Sequence, residues 1–445
     1  MKANERNPGP KRSICLATML VLLALRAVAA GAPPGAMTVD EARGVVAQSI
    51  DLISRNYVFP EARPAIVARL KANAAAGRYD VTSAGELAGR LSPDLAAAGN
   101  DKHLWIKYDP AQAGALAGGE KSRDAHDYSA REGRLHNEGY ESQRILAGNV
   151  RYLDLTGFLW NGAATTRTVA DAMRFAHDGD AVIIDLRRNG GGSMEAVQAL
   201  VSYFLPPDHR LLMTFHAGAN GRGFDTRVID KLPAPRLVGK PLYVLTSGDT
   251  ASAAEEFVYH VRQFKLGTLV GDTTAGAANN DSLYRVGKGF VLSVSTGRPE
   301  HPVSHGNWQG TGVAPDVATP AADALDAAHL VALQALDARP DADHARYAWT
   351  IDGLRGRTHP PRLDPQALAE YVGTFGMRSI KLANGELWFQ RESRAPTTLS
   401  PLANDLFAFG NTEDVRLRFR RAGGRVTGFD LITADGQTIA VDRSA

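Results

Sequence analysis

Hydrophobic positions in the first part of the chain recur at helical spacing. Between Met37 and about Asn100, apolar residues three and four apart follow two Ser/Thr-x-x-Glu boxes, which begin at Thr38 and Ser83. Such boxes start helices, because the two side chains take up backbone N–H groups that lack helical partners. The pattern therefore predicts three short helices, divided near Pro60 and Gly77 and packed as a small bundle over 37–100.

The pattern then changes to short strands alternating with helices. Leu104 to Tyr108 alternates apolar and polar residues, and Ala181 to Ile184 is continuously apolar after a helix predicted over 166–177. Helices alternating with fully apolar strands are typical of an α/β core with mainly parallel pairing. We assign 101–336 to this core and interpret the polar stretch 110–143, which has no period, as a loop over the site.

The last quarter of the chain has a different character. Residues 337–364 are rich in Pro, Asp and Arg and are interpreted as an irregular linker. From 365 to 445, one short helix precedes runs with period two, separated by Asn-Gly, Gly-Gly and Asp-Gly turn signals. The pattern predicts a small C-terminal antiparallel β domain, in which nothing points to chemistry.

The N-terminus predicts export. Basic residues from Lys2 to Arg12 precede an apolar run over 14–25 and the small-residue cleavage pattern Ala27-Val28-Ala29, which together indicate a signal peptide over 1–30. Cys15, the only cysteine, lies inside it, so the mature chain would have no disulfide and no cysteine nucleophile. A net charge of +2 without a basic run favours neither nucleic acid nor, after signal cleavage, a membrane as partner. We expect a periplasmic or secreted protein.

One stretch combines a strand, a tight turn and a helix around a serine. Leu242 to Thr246 is apolar, Ser247 to Thr250 are turn residues, and helical spacing follows up to Phe264. With Asp249 or Thr250 as N-cap, Ser252 falls in the first helical turn, where free N–H groups can stabilise an oxyanion. Ser252 is therefore a candidate nucleophile, although small polar residues open many helices without doing chemistry.

Three other segments offer partners for this serine. His103 lies at the start of a predicted strand, where a histidine is by default a structural residue. Gly190 to Gly192 follow a buried strand and lack the spacing of a P-loop, so by themselves they indicate either a phosphate cradle or a plain turn. Gln309 lies in a Gly-rich segment that ends at Pro315-Asp316.

The segment Thr250-Ala251-Ser252-Ala253-Ala254-Glu255 resembles the nucleophile segment of the C-terminal processing peptidases, the serine peptidase family that includes the tricorn core and interphotoreceptor retinoid-binding protein. Three further segments match in family order: Asp101-Lys102-His103-Leu104, the Asp-Leu-Arg-x-Asn-x-Gly-Gly type sequence of 185–192, and the closing Gly-Val-x-Pro-Asp of 312–316. The resemblance covers about 37–317. It implies a crotonase/ClpP-like peptidase core.

The resemblance also implies roles for individual residues. Ser252 would be the nucleophile and His103 the general base, while the amides of Ala253 and of Gly190 or Gly191 would form the oxyanion hole. Ala277 occupies the position where the bacterial peptidases have a lysine base, which favours the branch that uses histidine. Gln309 stands where that branch commonly has glutamate, and it is the candidate third catalytic residue. Glu255, one turn beyond Ser252, is either a polar support or a solvated helix cap.

These observations predict a serine-type peptidase that uses no metal and no cofactor. The expected partner is a peptide or unfolded protein, and no segment resembles the PDZ insertion that captures substrate C-termini in many relatives. Two alternatives stay open: a non-catalytic binding protein for small apolar ligands or peptides, and a serine esterase. A metal-dependent hydrolase is disfavoured because the twelve histidines are scattered and no HExxH occurs. The sequence leaves cleavage specificity and oligomeric state open.

Overall fold

The computed structural model describes residues 35–117, 123–218, 223–287, 289–340, 342–361 and 363–444, so the predicted signal peptide and Cys15 lie outside the described residues. The helices are α1 Val39–Asn56, α2 Arg63–Ala75, α3 Ala84–Gly99, α4 Pro110–Ala117, α5 Arg123–Leu135, α6 Ala163–His177, α7 Met194–Ser202, α8 Ala253–Gln263, α9 Ala324–Asp337, α10 His344–Thr358 and α11 Pro365–Glu370. The strands are β1 Trp105–Tyr108, β2 Tyr140–Leu146, β3 Val150–Leu155, β4 Ala181–Asp185, β5 Leu211–Ala217, β6 Phe224–Arg227, β7 Leu242–Thr246, β8 Thr268–Gly271, β9 Asn280–Val286, β10 Phe290–Glu300, β11 Val317–Ala318, β12 Gly373–Phe375, β13 Arg378–Ala383, β14 Glu386–Arg391, β15 Thr397–Ala403, β16 Leu406–Phe409, β17 Thr412–Ala422, β18 Arg425–Thr433 and β19 Thr438–Asp442.

The first three helices form the predicted N-terminal bundle. At the start of α1, the N–H of Glu41 donates to Thr38 Oγ1 and the N–H of Thr38 donates to the Glu41 carboxylate, so the capping box is present. Leu87, Leu91 and other apolar residues of α3 are fully buried against α1, α2 and the strands that follow. Helix α3 ends at Asn100 in the left-handed conformation, which turns the chain towards β1.

The central sheet has six strands in the order β11-β8-β7-β4-β3-β2. All neighbouring pairs are parallel except β2 with β3. Helices α6, α7 and α8 cover one face, and α9 and α10 cover the other, so the middle strands are buried on both sides. Because adjacent parallel strands end at the same edge, the turns after β4 and β7 lie side by side.

A second sheet connects the bundle to this core. Strand β10 is its longest member and pairs antiparallel with β1, β5 and β9, while β6 pairs with β5. Its apolar face contributes Ile106, Leu292 and Val294 to the same buried cluster as the helices of the bundle. This packing fixes β1, and with it His103 two residues before the strand, relative to β10.

The C-terminal part is an antiparallel sheet of eight strands, β12 to β19, in sequential order. Aromatic residues fill its interior, among them Phe375, Phe407 and Phe429. The predicted fold class, an α/β core with an N-terminal helical bundle and a small C-terminal antiparallel β domain, is confirmed. None of the helices in the described part of the chain combines the length and apolar character needed to cross a bilayer.

Two segments that were predicted to be irregular contain regular structure. Residues 110–143 hold α4, α5 and the start of β2 instead of a plain loop, and the interpreted linker 337–364 holds α10. Charged and polar residues dominate the sequence of α5, and the apolar residues of α10 are not gathered on one face. Helix α10 is stabilised by tertiary packing, since Ile351 and Leu354 are buried in the cluster that includes α9.

Candidate active site

The turn between β7 and α8 carries Ser252 and is attached to the neighbouring strand. Thr250 Oγ1 donates to the carbonyl of Leu186 and accepts from the N–H of Ser247, while Ser247 Oγ donates to the carbonyl of Arg187. Both carbonyls belong to the segment that follows β4. These bonds hold the serine turn against the glycine turn at the edge of the sheet.

Ser252 itself is the N-cap of α8, and the helix begins at Ala253. The prediction that Asp249 or Thr250 caps the helix is therefore wrong, because Thr250 is bonded back to the segment after β4 instead of starting the helix. Ser252 has φ +54° and ψ −121°, a region in which a residue other than glycine carries strain of about 1–3 kcal/mol. A strained strand-to-helix turn exposes the serine Oγ, as nucleophile turns in hydrolases do.

Glu255 holds this strained turn in place. It is fully buried, and its carboxylate accepts four hydrogen bonds: from the N–H groups of Ser252, Gly276 and Ala277, and from Thr274 Oγ1, at 2.6–3.0 Å. Of the two interpretations of Glu255, the structure favours the polar support, since a fully buried carboxylate is not a solvated cap. The segment 274–277, which has no lysine, thus acts as a backbone clamp on the nucleophile turn.

His103 reaches Ser252 from the second sheet. Although 149 positions separate them in the sequence, His103 Nε2 and Ser252 Oγ lie 2.9 Å apart. The imidazole is buried, with 6% of the residue exposed. This distance is that of a hydrogen bond between a nucleophile and its general base.

Asp101 stands behind the imidazole. Its Oδ1 accepts from the N–H of His103 at 2.9 Å and lies 3.8 Å from His103 Nδ1, which has no hydrogen-bond partner within the described structure. Its Oδ2 accepts from Tyr57 Oη, Asn279 Nδ2 and Ser295 Oγ. Burial and the charge of Asp101 raise the pKa of Tyr57, which therefore stays a donor. The carboxylate is thus fixed on the far side of the imidazole from Ser252.

Gln309 has a different environment. Its Oε1 accepts from the N–H groups of Ala278 and Asn279, at 2.8 and 3.1 Å, and no hydrogen bond joins it to His103 in the described structure. The next residue back, Trp308, donates from Nε1 to the carbonyl of Ala277. Gln309 therefore supports the segment whose Asn279 binds Asp101, so its contact with the imidazole is indirect.

Two glycines of the turn after β4 differ in their surroundings. Gly191 has φ +111°, and a Cβ at this position would lie 2.7 Å from Ser252 Cβ. Its N–H donates to Asn189 Oδ1, whereas the N–H groups of Gly190 and Ala253 have no acceptor among the described residues. Because Gly191 has no side chain, its backbone can lie against Ser252. The N–H groups of Gly190 and Ala253, which lack an acceptor among the described residues, lie beside the serine turn.

The glycine turn yields a matched pair of variants. We expect Gly191→Ala to lower kcat/KM at least about a hundredfold, because the added methyl would lie 2.7 Å from Ser252 Cβ and push the nucleophile out of place, and misplaced nucleophiles lose rates of this order. Gly190→Ala should stay within a few-fold of the wild type, since its Cβ position is open and its φ is ordinary. Steady-state kinetics of the two variants checks this, and equal losses would contradict it.

The site thus brings together Ser252, His103, Gly191 and Ala253 from three separate segments, since Ser252 and Ala253 are neighbours in the chain. Sequence reasoning gave no role to Asp101, although it lies two residues before the histidine in the segment that carries the resemblance. An acid two residues before a histidine can accept a hydrogen bond from the histidine's own backbone N–H. This spacing was the sequence signal that could have identified Asp101. Within the described residues, no cluster of three or more His, Cys, Asp and Glu side chains is arranged to hold a metal ion.

Comparison with known proteins identifies the family. The model of peptidase family S41 matches 149–319, and the model for the N-terminal domain of peptidase S41 in eukaryotic IRBP matches 38–133. The two segments cover more than half of the chain and contain every residue of the site described above. The chain belongs to peptidase family S41. The predicted relationship to the C-terminal processing peptidases is confirmed.

Curated S41 relatives include carboxyl-terminal-processing peptidase 2 of Arabidopsis thaliana chloroplasts, 26% identical over 167 residues, which are 38% of this chain and 31% of the relative. The carboxyl-terminal-processing protease of Synechocystis sp. is 27% identical over 170 residues, 38% of this chain and 37% of the relative. The S41 chain described here thus spans about a third of the length of these proteins.

Among solved structures, a lipoprotein from Streptococcus agalactiae is similar with a TM-score of 0.43 and 16% identity, covering 72% of this chain and 100% of that one. The photosystem II D1 C-terminal processing protease is similar with a TM-score of 0.40 and 17% identity, covering 63% and 93%. The tricorn protease gives a TM-score of 0.39 and 13% identity, covering 71% and 37%.

Proposed function

We propose that this S41 member is a serine peptidase that cleaves peptide bonds through an acyl-enzyme on Ser252. The observation that carries the proposal is the 2.9 Å separation of Ser252 Oγ and His103 Nε2 at the start of α8. A neutral imidazole accepts the serine proton at Nε2 as Oγ attacks the substrate carbonyl. It then gives the proton to the leaving amine, and water hydrolyses the acyl-enzyme by the reverse sequence.

Backbone amides stabilise the tetrahedral intermediate. One donor would be the N–H of Ala253, the residue directly after the nucleophile, and the second would be the N–H of Gly190 or Gly191 in the neighbouring turn. In acyl-transfer enzymes each such donor contributes roughly 3 kcal/mol to transition-state stabilisation. The uncommitted N–H groups of Gly190 and Ala253 support this pair, with Gly191 as the residue that keeps the two turns in contact.

Asp101 acts as a positioning residue for the general base. To accept a proton at Nε2, the imidazole must carry its other proton on Nδ1, which points towards Asp101 Oδ1 at 3.8 Å. A small rotation of the imidazole as the proton arrives would shorten this contact into a charge-assisted hydrogen bond. We infer that Asp101 supplies the negative charge that Gln309, as an amide, lacks.

The substrates we infer are peptides or unfolded proteins outside the cytoplasm. The basic residues from Lys2 to Arg12 and the apolar run after them favour export to the periplasm or the exterior. Sequencing the N-terminus of the protein recovered from a secreting host would detect cleavage near Ala29 or its absence.

The decisive test of the function is labelling with a fluorophosphonate, which reacts with activated serines. We expect wild type to be labelled at Ser252 and Ser252→Ala to stay unlabelled. A peptide library analysed by mass spectrometry, assayed beside simple esters, separates a peptidase from an esterase. Absence of labelling in the folded wild type would favour a binding protein on a peptidase fold, and label in Ser252→Ala would place the nucleophile elsewhere.

A further inference from the structure

A cavity of about 520 Å³ lies between α10 and the C-terminal sheet. One wall is a single face of α10, on which Arg346, Trp349, Gly353 and Arg357 follow each other three or four residues apart. The other wall comes from β15, β16 and the first half of β17. The volume is typical of sites that bind small molecules.

This cavity and the catalytic site lie at opposite edges of the central sheet. The cavity lining includes Ala147 and Gly148, in the turn that leads into β3, and His329 of α9, whose Nε2 donates to the carbonyl of Ala147 at 2.8 Å. The serine and glycine turns instead follow the ends of β7 and β4, which run parallel to β3. The cavity is therefore not part of the site around Ser252.

Arg416 brings a buried charge to the wall of this cavity. Its neighbour Leu417 belongs to the apolar interior of the C-terminal sheet, so the side chain of Arg416 lies on the outer face of β17, towards α10. Only 6% of Arg416 is exposed. The guanidinium carbon lies 3.8 Å from the centroid of the Trp349 ring, and an N–H of the same group donates to the carbonyl of Trp349.

The Arg416 guanidinium has further donors, since this group carries five N–H bonds. Among the described residues its one hydrogen bond goes to Trp349, and no carboxylate there forms an ion pair with it. Burial lowers the pKa of Arg416, and the charge of the exposed Asp352 offsets this only in part. A buried charge normally has a counter-ion, because desolvating it alone is costly. The remaining donors therefore indicate an anion as partner.

The other charges of the lining limit which anion fits. Arg357 pairs with Glu413 at 3.0 Å, whereas Arg346 has no ion pair among the described residues. Asp414, in β17, adds a second carboxylate. In the described lining the three arginines thus outnumber the carboxylates by one. This balance favours a ligand with a single negative charge over a dianion.

We propose that the cavity binds a small carboxylate with an apolar body, and that this carboxylate pairs with Arg416. A carboxylate matches the planar fork of a guanidinium with two parallel hydrogen bonds. Leu354, Leu402 and Phe409 contribute apolar lining for the body of the ligand. A free carboxylic acid and the C-terminal carboxylate of a peptide share this chemistry. The inference goes beyond the proposed peptidase activity and does not depend on it.

Isothermal titration calorimetry of the purified chain tests the site with two acids and their neutral amides. The probes are 4-phenylbutyrate with 4-phenylbutyramide, for a free acid, and N-acetyl-leucine with N-acetyl-leucinamide, for a peptide C-terminus. We expect an acid to bind at least about tenfold more tightly than its own amide, as charge-assisted hydrogen bonds allow. The acid that binds more tightly identifies the source of the carboxylate. Failure of both acids to bind, or equal binding of acid and amide, would overturn the proposal.

A matched pair of variants assigns the binding to Arg416. Arg416→Met keeps the packing of the stem on Trp349 and removes the charge, so the preference for the acid should disappear while the amide binds within about twofold of wild type. Arg418→Met changes an exposed arginine on the same face of β17, outside the described lining, and should bind both probes like wild type. Equal effects of the two substitutions would refute the role of Arg416.

A third variant locates the site without altering the arginine, in case Arg416→Met does not fold. Ala408 lines the cavity and lies directly opposite Arg416 in the pairing of β16 with β17. Ala408→Leu fills part of the cavity and should weaken binding of acid and amide alike, by at least about tenfold. Circular dichroism shows whether each variant is folded. Undiminished binding of the acid to folded Ala408→Leu would place the ligand elsewhere.

Discussion

Ser252→Ala and His103→Ala should each lower kcat for a peptide substrate by about a millionfold, and the double variant should be no worse than either single one. The 2.9 Å contact makes the two side chains one unit, so removing either leaves only the oxyanion amides and substrate binding. The measurement is active-site-titrated kinetics, with circular dichroism to show that the fold is kept.

The chain offers matched controls for this pair. Ser304 and His305 are an exposed serine and an exposed histidine in the loop after β10. Ser304→Ala and His305→Ala should leave kcat within about twofold, as surface substitutions usually do. Activity of Ser252→Ala within tenfold of the wild type would refute the assignment of the nucleophile.

Asp101→Asn should lower kcat by about a thousandfold to ten-thousandfold with KM little changed, as when the acid behind a catalytic histidine becomes an amide. In either orientation the new NH₂ group faces donors: Tyr57, Asn279 and Ser295 on one side, or the N–H of His103 on the other. We also expect a loss of roughly 1–3 kcal/mol in the free energy of unfolding, measured in urea.

Gln309→Ala separates the two candidates for the third position. Because the Gln309 amide bonds the backbone of Ala278 and Asn279, we expect kcat to fall by less than about tenfold, through loosening of that segment. If Gln309 were the residue that orients the imidazole, Gln309→Ala would instead lower kcat more than Asp101→Asn does. Kinetics of both variants at equal folded fraction decides between them.

Local patterns predicted most of the framework. The capping boxes, the buried strands and the turn before Ser252 depend on neighbours in sequence, and each forms the element predicted apart from the exact N-cap. Helix α5 was missed because most of its residues are charged or polar, and α10 because its apolar residues do not recur at helical spacing. Their formation depends on contacts with other parts of the chain.

The sequence by itself determined the family, the candidate nucleophile and base, and the glycine turn, because each lies in a short segment whose residue types carry the information. Only the tertiary structure decided which acid stands behind His103, that Glu255 clamps the nucleophile turn, and that Gln309 bonds backbone amides. These relations join α1, β1, β9, β10 and α8. They depend on the pairing of distant strands, which places side chains within hydrogen-bond reach and which no local pattern encodes.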